Sequence, residues 1–262
     1  RDKVISMTTA PRIVATAEEV GVRVARIIAD GLLQTASAQR PFLLGCPTGR
    51  TPEPVFPALA ALAADGLDLG RMVIVLMDEY VVPAAGGFAM VDPEKLYSCV
   101  GYARRQILQP LAEASGTSPQ LWHADPDDPG EYDRRIAAAG GIDVFLLASG
   151  ASDGHVAFNP PGSPRDSITR VIELGESTRR DNMSTFPVFA DLSEVPRHGL
   201  SVGVSTIADH TRQAVMMLTG ADKRTAFERI CAATAYEPDW PATIVAECAD
   251  HIVLADAAAA GR

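Results

Sequence analysis

The chain has 262 residues and a formal charge of −10, which is long enough for one large α/β domain with a well-buried core. Nearly half of the residues are apolar and 21% are charged, a balance that excludes a largely disordered chain. No run of Lys or Arg stands out, which argues against a nucleic-acid groove, and no apolar run approaches bilayer length, which argues against a membrane span.

The elements alternate along the chain. Thr16 followed by Glu19 reads as a capping box, and Val20, Val24, Ile27, Ile28 and Gly31 recur at helical spacing behind it. Phe42 to Leu44, ending in Gly45, reads as a buried strand. Thr51 and Pro52 look like the N-cap and first position of a second helix. Met72 to Met77 is a second buried strand. Asp92, Pro93 and Glu94 look like a helix start, with the helix running to about Leu111. Ile142 to Ala148, Leu200 to Val204 and Ala214 to Leu218 are further strands. A helix over 222–232 and a short strand over 251–254 close the chain. The stretches 84–87 and 136–141 read as loops or helix ends.

Strands apolar on both faces, separated by helices, predict an α/β fold: three layers, doubly wound, with a mostly parallel sheet and helices on both faces. A single domain over 1–262 is expected. Cys46, Cys99, Cys231 and Cys248 form no C-x-x-C pair and read as buried thiols of a reducing compartment. The N-terminus carries no signal-peptide pattern. A soluble cytoplasmic protein is expected.

In an open parallel sheet, ligands bind beyond the carboxyl ends of the strands. Three segments stand there. Gly49, Arg50 and Thr51 lead towards a helix N-terminus, where free N–H groups and the helix dipole favour phosphate; a plain capped turn is the bland alternative. Asp78 and Glu79 form an acidic pair at a strand end. Burial would raise such a carboxylate into the range of a usable base, whereas a solvated turn would leave it inert. Asp153-Gly154-His155 places a proton-moving imidazole beside a carboxylate, although a lone His is more often structural. Gly150-Ala151-Ser152-Asp153-Gly154 also matches G-x-S-x-G, the nucleophile elbow, with His210 or His251 available by chain order. Pro160-Pro161-Gly162 follow too soon for the helix an elbow requires. Arg179 and Lys223 are two isolated cations suited to phosphate.

Taken together, these segments resemble the superfamily of glucosamine-6-phosphate deaminases and 6-phosphogluconolactonases, over about Ile13 to Ala258. The resemblance rests on Pro47 to Pro52, Met77 to Val81, Asp153 to Asn159, Ser177 to Arg179, Ser201 to Thr206 and Gly220 to Lys223. Tyr80, Phe158-Asn159 and the Thr178-Arg179 segment are more similar to the deaminase branch. The closing segment, Pro241-Ala242 and then Val253 to Ala260, leans towards lactonases.

The resemblance implies a modified Rossmann-like fold of the deaminase/ribose-5-phosphate isomerase type. It implies that Gly49 to Thr51, Arg179 and Lys223 hold a sugar 6-phosphate. Asp78 would be the base that shuttles a proton between C2 and C1, and His155, oriented by Asp153, would assist ring opening. No metal or organic cofactor is implied. The partner is a small phosphorylated sugar, not a nucleic acid or a membrane. Relatives of this kind occur in several oligomeric states, so a homo-oligomer is compatible with the sequence.

Two positions depart from the deaminase pattern. Pro160 stands where a Glu usually partners the histidine, and Ser149-Gly150-Ala151 replaces a Gly-x-Gly. An aminosugar-phosphate isomerase/deaminase is therefore the leading expectation, with 6-phosphogluconolactone hydrolysis as the alternative. A non-catalytic sugar-phosphate sensor and a serine hydrolase are the remaining readings.

Overall fold

The computed structural model describes residues 10–262; the start of the N-terminal stretch read for a signal peptide lies outside them. Among the described residues, eleven strands fall into two sheets. The larger is wholly parallel and takes the order β1-β11-β10-β7-β2-β3-β6. Its strands are β1 (Arg12–Val14), β2 (Phe42–Cys46), β3 (Met72–Leu76), β6 (Gln120–Trp122), β7 (Ile142–Ala148), β10 (Thr211–Leu218) and β11 (His251–Asp256). The smaller is antiparallel in the order β5-β4-β9-β8, made of β4 (Asp78–Ala84), β5 (Gly87–Met90), β8 (Arg170–Glu173) and β9 (His198–Ser201).

Alternate residues of the parallel strands divide the core. Phe42, Leu44, Ile74, Leu146 and Met217 face α1 (Ala17–Ala36), α2 (Val55–Ala64) and the helical run formed by α3 (Cys99–Tyr102), a π-turn (103–108) and α4 (Gln109–Ser115). Leu43, Val75, Phe145, Leu147 and Met216 face α5 (Pro129–Ala138), α7 (Val204–Asp209) and α8 (Arg224–Ala232). Both faces are covered, so the three-layer expectation holds, and it explains why these strands read as unbroken apolar runs. Each buried aliphatic side chain contributes about 1.5–3 kcal/mol. A third cluster, Tyr80, Phe158, Leu174, Phe186 and Phe189, packs on the small sheet and helps seat α6 (Glu176–Thr185).

Several sequence expectations need correction. Helix α1 starts as expected: Thr16 Oγ1 accepts the Glu19 N–H, and Glu19 reaches back to the N–H of Ala15. Thr51 does not cap α2. Pro54 lacks an N–H, and Val55 donates to Pro52 across three residues, so turns occupy 50–54 and the helix begins at Val55. Asp92 makes a local turn by accepting the Glu94 N–H. The helical run starts only at Cys99, with Ser98 as N-cap.

The strand expected over Leu200 to Val204 ends at Ser201, because Gly203 and Val204 open α7. The helix expected over 222–232 is α8 preceded by one 3-10 turn. Of the small sheet, β4, β5 and β8 escaped the sequence reading, as did β6, α5 and α6.

Candidate active site

The site forms where the two sheets meet. Only Met77 separates β3 from β4, and its carbonyl accepts the N–H of Val202 at 2.8 Å. The chain therefore leaves the parallel sheet at Asp78, above the carboxyl ends of β2 and β7. This is the crevice side of an open α/β sheet.

Asp78 and Glu79 separate into different roles. Glu79 is 2% exposed. Its carboxylate accepts the N–H groups of Tyr80, Cys99 and Val100 and the Ser98 hydroxyl, at 2.7–3.0 Å. It thus caps the start of α3, a structural task the sequence did not disclose. Asp78 is half-buried and lines the cleft. Burial pushes its carboxyl up to about 7; the Cys99 hydrogen bond opposes this, Glu79 adds to it and His155 subtracts. A carboxylate of that strength is a competent proton acceptor near neutral pH.

After β2, Thr48, Gly49, Arg50 and Thr51 line the same cleft. Gly49 has φ +94°, a conformation that favours glycine. No acceptor among the described residues takes the N–H groups of Gly49, Arg50 or Thr51. Opposite them, the Lys223 ammonium lines the cleft and donates to the Ser149 carbonyl at 2.6 Å. Burial pulls its pKa below the usual lysine value, with Asp222 and Asp181 opposing.

The structure does not bring Arg179 into this group. Its guanidinium turns away and donates to the carbonyls of Leu192 and Val195, the latter at 2.9 Å. Expected at the phosphate, Arg179 here fastens α6 to the segment that follows it.

Asp153 and His155 form a pair after β7. His155 Nδ1 lies 2.7 Å from Asp153 Oδ1, and both side chains are largely buried. The other carboxylate oxygen accepts the Thr178 hydroxyl of α6 at 3.0 Å. Burial pushes Asp153 up, but the His155 hydrogen bonds and charge, with Thr178, outweigh it and hold the carboxyl at about 2. Asp153 thus remains a carboxylate that fixes the imidazole.

The loop itself is shaped for the pair. A Cβ at Gly150 would collide with His155 Nδ1 and Asp153 Oδ1. Gly154 has φ +69°, and a Cβ there would enter the Trp240 ring. Beyond the pair, fully buried Asn159 donates to the carbonyl of Val202 at 2.8 Å, and Ser201 Oγ accepts the N–H of Phe158 at 3.1 Å. The Ser201 to Thr206 segment therefore hangs the histidine loop from β9.

Asp78, His155, Lys223 and the loop over Thr48 to Thr51 share one cleft with Cys99, Asn182, Thr185 and Phe186. The sequence reading missed Thr178, although it stood beside Arg179 in a motif already singled out. Nothing in the local sequence marked Cys99.

The nucleophile-elbow reading fails on geometry. The Ser152 hydroxyl faces Asp181 at 3.4 Å. His210 and His251 lie at the amino ends of β10 and β11, across the sheet from Ser152. Asp153, His155 and Asp181 have potential metal-ligand atoms within 4.8 Å of one another, but His155 Nδ1 is already engaged by Asp153.

The family model of glucosamine-6-phosphate isomerases/6-phosphogluconolactonase matches residues 15–254. The glucosamine-6-phosphate deaminase of Streptomyces avermitilis is 34% identical over 249 residues, covering 88% of this chain and 89% of that protein. A solved monomeric glucosamine-6-phosphate deaminase superposes with a TM-score of 0.79 at 25% identity, over 97% of this chain and 99% of its own. A 6-phosphogluconolactonase from Shewanella baltica superposes with a TM-score of 0.70 over 96% of this chain and 99% of its own, but at 16% identity it shares the fold alone.

Proposed function

Because the chain belongs to the family of glucosamine-6-phosphate isomerases and 6-phosphogluconolactonases, we propose that it is an aldose–ketose isomerase/deaminase of an aminosugar 6-phosphate. The substrate is glucosamine 6-phosphate or an epimer, and the products are fructose 6-phosphate or tagatose 6-phosphate plus ammonia. The observation that carries this reading is Asp78: a carboxylate raised to about 7 by burial, lining the same cleft as His155. Lactone hydrolysis moves no carbon-bound proton and needs no such base.

In the proposed reaction, the N–H groups of Gly49 to Thr51 and the Lys223 ammonium grip the phosphate. His155, held by Asp153, passes the ring-oxygen proton and opens the sugar. Asp78 takes the C2 proton, giving an enolamine, and returns it to C1. Water then adds to the resulting C2 imine, and ammonia departs. Pro160 offers no carboxylate to this sequence, so Asp153 is the carboxylate that holds His155.

The four cysteines are free thiols, which suits a reducing compartment such as the cytoplasm. Among the described residues no helix is long and apolar enough to cross a membrane.

The test is turnover by the purified chain on glucosamine 6-phosphate and galactosamine 6-phosphate, with ammonia and ketose phosphate measured separately. Formation of both products from either sugar supports the reading. If neither sugar gives a ketose phosphate while 6-phosphogluconolactone is hydrolysed, the lactonase alternative replaces it.

A further inference from the structure

The thiol of Cys99 stands between two elements that line the cleft. Thr48 Oγ1, on the loop after β2, donates to Cys99 Sγ at 3.4 Å. The sulfur in turn donates to Asp78 Oδ1 at 3.5 Å. The backbone N–H of the same cysteine is held by Glu79 at 3.0 Å. The two adjacent carboxylates of β4 thus hold one residue, Asp78 by its side chain and Glu79 by its main chain. Cys99 is 1% exposed. Burial first, and then the charges of Glu79 and Asp78, push its thiol well above the ordinary range. It therefore keeps its proton at neutral pH and remains a donor.

Other titratable groups face Asp78 from every side. Glu79 and Tyr80 are on its own strand, Cys46 comes from β2, His155 comes from the loop after β7, and Arg50 and Lys223 line the same cleft. His123, after β6, shares a small cavity behind it. Among the described residues, Cys99 alone donates a hydrogen bond to the Asp78 carboxylate.

We propose that Cys99 is a positioning residue for the base: its thiol, anchored by Thr48 and Glu79, holds Oδ1 of Asp78 and leaves Oδ2 for the substrate. The inference rests on the reading of Asp78 as the proton-shuttling base. Its consequence is that the cysteine sets the pH range in which Asp78 works. Removing the donor destabilises the carboxylate form and raises its pKa.

The experiment compares wild type, Cys99→Ala and Cys99→Ser by the pH dependence of kcat/KM on the aminosugar phosphate. In Cys99→Ala the acidic limb moves up by about half a unit to one unit. At pH 6 this lowers the rate roughly 3- to 10-fold, with little change at pH 9. In Cys99→Ser, a stronger donor, the limb returns to the wild-type position or below. A Cys99→Ala profile that superimposes on wild type overturns the proposal, as does an equal shift in both variants, which marks mere repacking.

The carboxyl carbon-13 titration of Asp78 in the three proteins reads the same shift without turnover. If wild type processes no aminosugar phosphate, the proposed function fails while this titration still decides the role of Cys99. If Cys99→Ala does not fold, Thr48→Val removes the anchor of the sulfur from outside the core and moves the titration in the same direction by a smaller amount. No movement there overturns the proposal.

Discussion

Asp153 Oδ1 meets His155 Nδ1 at 2.7 Å, directly above Gly150, where a Cβ would strike both partners. The pair has the orientation it has because position 150 carries no side chain. Substituting Gly150→Ala leaves the fold intact but displaces the imidazole, and kcat falls roughly 100-fold, the order expected for a misplaced catalytic group. Steady-state kinetics together with an unchanged circular-dichroism spectrum check this. Unaltered kcat would mean that His155 does not act from its observed position.

Asp153→Asn removes the charge while keeping the shape. The loss of kcat is about 100-fold or more, the scale of a general acid–base contribution. Because the Asp153 carboxyl is held at about 2, it stays ionised throughout the working range. It therefore adds no limb of its own to a pH profile between pH 5 and 9.

Asp78 provides that limb. Only the carboxylate accepts a proton, so kcat rises with pH through about 7, the value to which burial pushes the group. Stability runs the other way. The folded state holds the Asp78 proton above the pH at which the unfolded chain releases it, so the folded state binds more protons between about pH 4 and pH 7. Stability therefore falls as pH rises across that window. Asp78→Asn removes both effects. Deamination is lost, and the variant is more stable than wild type at pH 8 by about 1–3 kcal/mol after allowance for the solvent-facing side. Thermal melts at pH 5 and pH 8 measure the difference.

Lys223 and Arg179 are expected to part company. Lys223→Ala weakens inhibition by inorganic phosphate and raises KM by about 10- to 100-fold, the worth of one charge-assisted hydrogen bond. Arg179→Ala acts on stability instead. It loses the two carbonyl contacts at Leu192 and Val195, at a cost of about 1–3 kcal/mol. The phosphate inhibition constant moves by less than about twofold, as for a site outside the cleft. A phosphate defect in Arg179→Ala with unchanged thermal stability would show that the guanidinium swings into the cleft.

The sequence alone determined the parallel core and the three points where its strands meet the cleft. Phe42 to Leu44, Met72 to Leu76 and Ile142 to Ala148 are apolar on both faces because helices cover both faces, and that pattern survives without any knowledge of partners. Asp78, His155 and Lys223 follow such strands, so their convergence in one cleft was legible.

The tertiary structure decided what the neighbours do. Of the small sheet only β9 was legible, through the strand expected from Leu200; the rest escaped notice because β8 is short and partly polar, β8 pairs only with β9, and β9 pairs with β4 across a long stretch of chain. Glu79 and Asp78 are indistinguishable as adjacent acids. Only the placement of the α3 start beneath Glu79 makes one a helix cap and leaves the other facing the cleft. Arg179 sits in the expected motif, yet its direction depends on the carbonyls of Leu192 and Val195, and no spacing rule encodes that. Cys99 carries no local signal at all: its contact with Asp78 exists because two segments twenty-one residues apart are brought within hydrogen-bond reach by the turn between the sheets.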